Sequence, residues 1–159
     1  MESALRASPA DPTAVWDQRS PRVTVVMPAF NGARALEKTY RALPAALREG
    51  VLLGDNCSSD GTHRIAQRLG IQTLRHDRNY GYGGNLKRLF RKALQDGAEI
   101  VVELHPDGQY DPRLVDILVE YVRRGYFDVM QGNRIRSRDE ALAGGMPRYR
   151  YFGNRALTL

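Results

Sequence analysis

At 159 residues the chain is long enough for one domain with a real core and short for two. Its hydrophobic fraction of 42% and charged fraction of 26% are those of an ordinary folded protein, and no apolar run approaches the roughly 20 residues of a membrane span. The formal net charge is +6, and a single cysteine, Cys57, excludes an internal disulfide and makes a reducing compartment the default.

Residues 1–20 are rich in Ala, Pro, Asp and Ser and lack the apolar stretch of a secretory signal. They read as a flexible leader in which Trp16 offers a packing latch. Arg22 to Met27 has the pattern of a first strand, and Pro28-Ala-Phe-Asn-Gly32 that of a turn. A helix follows, with Leu36, Tyr40, Leu43 and Leu47 at helical spacing on one face. Val51 to Leu53 is a second strand, and Gly54-Asp-Asn-Cys-Ser-Ser-Asp-Gly61 a polar loop. Thr62 to Leu69 is a short helix, and Ile71 to Arg75 a third strand. The glycine-rich loop Asp77 to Gly84 opens a helix carrying Leu86, Leu89, Phe90, Ala93 and Leu94. Glu99 to Leu104 is a fourth strand, Leu114 to Val122 another helix, and Phe127 to Gln131 a fifth strand. Alternation of this kind predicts an α/β domain over residues 21–132, with a mostly parallel sheet flanked by helices.

Beyond it the periodicity fades. From Gln131 onward six arginines (Arg134, Arg136, Arg138, Arg148, Arg150 and Arg155) face only Asp139 and Glu140, with Tyr149, Tyr151 and Phe152 interleaved. Residues 133–159 are therefore either a surface for anionic lipid, phosphate or nucleic acid, or a solvated basic face.

Polar loops follow the first, second and fourth strands. In a parallel sheet all three open on one edge, where α/β proteins bind ligands. Each has a local explanation as well. Asp55 and Asn56 are good turn formers, and Ser58, Ser59 and Asp60 are good caps for the helix at Thr62. Gly81-Tyr-Gly-Gly84 is a tight turn into a helix or a phosphate cradle, without the dinucleotide fingerprint or the P-loop Lys-Ser/Thr. His105 and Asp107, two residues apart just past a strand end, can face one divalent cation, which would suit a diphosphate leaving group. Asp111 reads as a helix N-cap and Pro112 as the first helical residue. His63, His76 and Cys57 lack partners at ligand spacing, and no Ser-His-Asp or Cys-His arrangement is readable.

The order of these segments resembles the family 2 glycosyltransferases of the GT-A, Rossmann-like fold, especially the branch similar to dolichyl-phosphate mannose synthase. Val25-Val-Met-Pro-Ala-Phe-Asn31 resembles the family's opening strand and turn. Asp55-Asn-Cys-Ser-Ser-Asp-Gly-Thr62 resembles its Asp-Asp-x-Ser-x-Asp-x-Thr loop, and Asn79-Tyr-Gly-Tyr-Gly-Gly-Asn85 its Asn-x-Gly-x-Gly segment. Leu104-His-Pro-Asp-Gly-Gln-Tyr-Asp-Pro112 stands in the place of its Asp-x-Asp metal motif and the Gly-Gln-x-Asp-Pro that follows. Gly145-Met-Pro147 and Gly153 to Thr158 resemble the stretch leading to the acceptor side.

The resemblance implies a UDP- or GDP-linked sugar donor, with Pro28, Phe30, Asp55 and Asn56 at the base and ribose. Gly83 would let the chain approach the nucleotide. Asp107, the catalytic candidate, and His105 would hold Mg²⁺ or Mn²⁺ beside Gln109. It also implies inversion at the anomeric carbon, a polyprenyl-phosphate-type lipid acceptor, and peripheral contact with the cytoplasmic face of an anionic membrane; no nucleic-acid partner is expected. Three positions depart from the family pattern: Gly32 stands where many members have Glu, Asn56 replaces an Asp, and His105 replaces the first Asp of the metal motif, as in some members of the branch. The chain stops where members continue on the acceptor side, which predicts a truncated enzyme. The alternative is a non-catalytic donor-binding fragment. A nucleotidyltransferase would carry a basic glycine-rich loop after the first strand, and Pro28 to Gly32 holds no Lys or Arg.

Overall fold

The computed structural model describes residues 22–132, 148–149 and 152–153. The leader with Trp16, and most of the basic segment 133–159, lie outside the described residues. Four strands, β1 (Val23–Ala29), β2 (Val51–Asp55), β3 (Gln72–Arg75) and β4 (Ile100–Glu103), form a parallel sheet in the order β3-β2-β1-β4. The helices are α1 (Ala33–Ala42), α2 (Ala45–Arg48), α3 (Thr62–Arg68), α4 (Gly81–Gln95) and α5 (Val115–Arg123). This is the mixed α/β architecture expected.

β1 is central, and Val25, Val26 and Met27 are fully buried because both faces of the sheet are covered. On one face Val25 and Met27 pack with Leu36, Leu53, Ala66 and Val115. On the other, Val26 and Leu52 pack with Leu89 and Ala93 of α4. Pro28 sits inside β1 although it has no N–H. The β1 amides alternate in direction: that of Val25 bonds Gly50 on the β2 side, so position 28 faces the β4 side. The β1–β4 pairing ends at Val26↔Glu103, before Pro28 is reached. No ladder bond is lost there.

Two expectations are corrected. The first helix does not run through Leu47. Leu43, with ψ 145°, leaves the helical region because Pro44 follows it, and the segment splits into α1 and α2. Leu43 and Leu47 still reach the core. The fifth strand is absent among the described residues. α5 ends with Gly125 at φ 69°, the Gly125 amide bonding Val122 and the Tyr126 amide bonding Tyr121. Beyond that cap Phe127 and Val129 are exposed, so pairing there would bury nothing, and β propensity alone does not carry a strand.

α4 lies directly on the backbone of β2 at Gly54. A Cβ there would stand 2.3 Å from Asn85 Oδ1 and 2.8 Å from Leu89 Cδ1. Asn85 Nδ2 donates to the Gly54 carbonyl at 2.8 Å, and its Oδ1 lies 3.0 Å from His76 Nε2. With the amide thus oriented, Oδ1 accepts and His76 Nε2 carries the proton. His76 is a buried structural residue, as its lack of ligand-spaced partners suggests. Gly54→Ala should therefore cost about 1–3 kcal/mol of stability by overpacking, read as a lower urea midpoint. A midpoint equal to that of wild type would contradict the close packing of α4 on β2.

Candidate functional site

Because the strands are parallel, the loops after β1, β2 and β4 open on one edge. The chain order reverses beside β1, so the crevice between the ends of β1 and β4 is the natural ligand position.

The loop after β2 organises its neighbours. Ser58 Oγ accepts from the Asn31 amide, Thr62 Oγ1 from Gly32 and Asp60 Oδ2 from Ala33, each at 2.9 Å. The Ser59 amide returns a bond to Asn31 Oδ1 at 3.0 Å. Asp60 thus does more than cap the helix at Thr62; it also satisfies an otherwise open amide of the first turn of α1. Burial pushes the Asp60 carboxyl up, but the Thr62 hydroxyl and the Ala33 and Thr62 amides outweigh it and hold it below the usual carboxylate range. Asn31, at φ 52°, is held left-handed by this clamp, leaving Phe30 56% exposed beside the crevice. At Gly32 an added Cβ would meet nothing nearer than 3.8 Å, so the turn has room for a side chain there.

Asp55, at the end of β2, is fully buried. Its Oδ1 accepts from the Ser58 amide at 3.0 Å, whereas its Oδ2 has no hydrogen-bond partner. Arg75 Nε stands 3.9 Å from that oxygen, on a side chain that is itself largely exposed. A buried carboxylate oxygen without a hydrogen-bond donor is costly and leaves room for a donor to reach it. A donor reaching it would displace or join Arg75, a residue the sequence reading missed. Its signal was the matching position of Asp55 and Arg75 at the ends of adjacent strands.

Asn56 is placed differently from its neighbour. Its Nδ2 donates to Asn79 Oδ1 and the Gly81 carbonyl, and its Oδ1 accepts from the Tyr80 amide. The whole carboxamide is engaged in holding the glycine loop against β2. The loop itself becomes the first turn of α4. Gly81 and Gly83 have open space where a Cβ would be, so a ligand can approach the backbone there, while a Cβ at Gly84 would stand 2.9 Å from Tyr80.

Past β4, Asp107 Oδ1 accepts from the Gln109 amide at 2.9 Å, with Gly108 at φ 77° completing the turn. Asp107 Oδ2 lies 3.9 Å from His105 Nδ1. The other His105 nitrogen, Nε2, is 2.9 Å from Glu103 Oε1 and 3.2 Å from the Tyr82 hydroxyl, which also bonds Glu103. Glu103 and Tyr82 were not singled out from sequence. Spacing of 103, 105 and 107 at the end of a strand was the readable signal. Asp111 caps the turn Pro112–Leu114 by accepting from the Arg113 amide, as the sequence implied.

Among the described residues no group of three or more His, Cys, Asp or Glu side chains is arranged to hold a metal ion. His105 Nδ1 and Asp107 Oδ2 lie 3.9 Å apart, close enough for both to reach one ion. Mg²⁺-type sites commonly take one or two protein ligands and complete their shell with substrate phosphates and water, so this donor set fits such an ion. No helix among the described residues is long and apolar enough to cross a membrane.

Residues 24–157 match the sequence pattern of Glycosyl transferase family 2. The chain is 36% identical over 147 residues to Glycosyltransferase AglD of Haloferax volcanii, covering 82% of this chain and 23% of that protein. It is 32% identical over 119 residues to Undecaprenyl-phosphate mannosyltransferase of Micrococcus luteus, covering 71% of this chain and 48% of that one. It therefore spans less than half the length of each. The fold is shared with glucosyl-3-phosphoglycerate synthase of Mycobacterium tuberculosis, solved with Mn²⁺, UDP and glucosyl-3-phosphoglycerate (TM-score 0.52, 21% identity, covering 64% of this chain and 39% of that one).

The Asp60 clamp has a pH signature. A carboxyl depressed in the folded state contributes stability that is complete above the unfolded value, about 3.9, and is lost as pH falls through the folded value. Asp60→Asn should be less stable than wild type at pH 7, and the gap should narrow below about pH 4 in denaturant titrations. A gap independent of pH would remove the charge from the explanation.

Proposed function

The chain belongs to glycosyl transferase family 2, and on that premise we propose that it binds a nucleotide-sugar donor at the β1–β4 crevice for transfer to a lipid-linked phosphate. The observation that carries donor binding is the orphaned, fully buried Asp55 Oδ2 at the strand-end edge. It is suited to an N–H of a uracil or guanine base, with the exposed Phe30 and the half-buried Pro28 at the end of the neighbouring β1. Asn56 then acts indirectly, by fixing the glycine loop whose open backbone at Gly83 admits the nucleotide. Gln109 lies next to the diphosphate position through the Asp107 turn.

A diphosphate brought against Asp107 meets like charge, so the reading includes Mg²⁺ or Mn²⁺ on Asp107 and His105. When bound, that ion would neutralise charge developing on the departing nucleoside diphosphate. Asp107 is the catalytic candidate through that contact. The acceptor oxygen attacks the anomeric carbon as the bond to the diphosphate breaks, giving inversion. A phosphate acceptor is already anionic and requires no base in the protein. Membrane contact at the cytoplasmic face belongs to the same proposal; the exposed Tyr149 and Phe152 beside Arg148 support it. The other residues of that basic segment named from sequence, including Arg134, Arg136, Arg138, Arg150, Tyr151 and Arg155, lie outside the described residues. The second reading is donor binding without turnover.

Titration calorimetry with UDP and GDP should show binding strengthened by Mn²⁺. Asp107→Ala should abolish most of the metal-dependent gain, and Asp55→Ala should cost about 1.5–3 kcal/mol with the metal requirement kept. Metal-dependent binding unchanged in Asp107→Ala would reject the cation assignment. Sugar transfer to a polyprenyl phosphate by the purified chain decides between the two readings.

Binding to anionic vesicles should weaken steeply with added salt, since exposed charges are screened within about 8 Å at physiological ionic strength. Replacing Arg148, Arg150 and Arg155 by Gln should remove it, whereas replacing Arg64 and Arg68 should not. Salt-independent binding would exclude the electrostatic contact.

A further inference from the structure

Glu103 is a carboxylate at the last position of β4, and its Oε1 receives two groups from different parts of the chain. One is the Tyr82 hydroxyl from the first turn of α4; the other is His105 Nε2 at 2.9 Å. An ionised carboxylate accepts only, so a neutral His105 ring bonded to it carries its proton on Nε2. Its lone pair then sits on Nδ1, the nitrogen facing Asp107 Oδ2 at 3.9 Å. That separation is too long for a hydrogen bond. The two nitrogens point to opposite flanks of the ring, so Glu103 lies on the side away from Asp107. Tyr82 and Tyr110 bracket the ring, with centroids 5.4 and 5.9 Å away. The Tyr82 hydroxyl donates to the same Glu103 oxygen.

We propose that Glu103 and Tyr82 are positioning residues that hold His105 as the Nε2–H tautomer and aim its Nδ1 lone pair, with Asp107, at a divalent cation. This rests on the cation reading above and extends it to side chains not assigned there. A carboxylate behind a ligating histidine fixes ring orientation and raises its basicity, and its loss commonly costs about 10–100-fold in metal affinity. Because Tyr82 opens α4, the arrangement also ties the glycine loop to the turn after β4.

The test uses the 159-residue chain labelled with ¹⁵N-histidine; it has three histidines, and His105→Ala assigns the signal. Long-range ¹H–¹⁵N spectra at pH 8 should show His105 protonated on Nε2 and bare on Nδ1. Mn²⁺, alone and with UDP, is followed by water-proton relaxation. Glu103→Ala should mix the tautomers and weaken Mn²⁺ at least about 10-fold. Glu103→Gln, which keeps an acceptor oxygen, should retain the tautomer and most of the affinity, and Tyr82→Phe should lose less than Glu103→Ala. Unchanged urea midpoints show that the variants fold. A wild-type ring protonated on Nδ1, or Glu103→Ala with unaltered tautomer and Mn²⁺ affinity, would overturn the proposal. Absence of Mn²⁺ binding in wild type, with the Nε2–H tautomer present, would instead overturn the cation reading and with it the purpose of the clasp, leaving its geometry standing.

Discussion

The loop between β2 and α3 holds the strand-end edge together. Asp60, Thr62 and Ser58 fasten the turn after β1, and Asn56 fastens the glycine loop before α4. Without those bonds three short polar segments would each be free to move, because strand ends carry little apolar surface to pin them. The hydrogen bonds are local in cost and wide in effect. The segment Asn56 to Thr62 sets the geometry of two others that lie far from it in sequence, and so sets the walls of the crevice.

Much of the fold was readable because it obeys strong periodicities. The Val-rich β1, the amphipathic α4 and the strand-end polar loops are features in which local preference and tertiary packing agree. Asp55, His105 and Asp107 were readable as site candidates for the same reason: polar residues where a buried strand ends. The misreadings arise where one local signal overrides another. Leu43 and Leu47 keep helical spacing across a proline that breaks the helix. Phe127 and Val129 alternate like a strand, yet both stay largely exposed, Phe127 meeting the Tyr121 ring in a T-shaped contact.

Asn56 and Glu103 show a subtler limit. Sequence places both at the site edge, but not which way their side chains face. Asn56 turns inward to the glycine loop, and Glu103 turns to a tyrosine from another helix. Each partner comes from α4 or its approach, roughly twenty residues away in both cases. A pairing set by three-dimensional docking leaves no periodic trace in one sequence. Asp55 differs: its place at the end of an apolar strand is readable in the sequence, whereas the unpartnered Oδ2 is visible only in the structure.

The sheet order carries a consequence for how the molecule is assembled in time. Val25 meets Val51 across one short crossover, and β2 meets β3 across another. Val23 meets Ile100 only after the chain has returned past both. Loop-closure entropy makes such distant pairing slow relative to the local ones. The β1–β4 pairing closes the longest loop in the sheet, and the Glu103–Tyr82 contact lies at its end. A ligand held between the ends of β1 and β4 would therefore bridge segments far apart in the chain, and would protect the folded state in proportion to its occupancy.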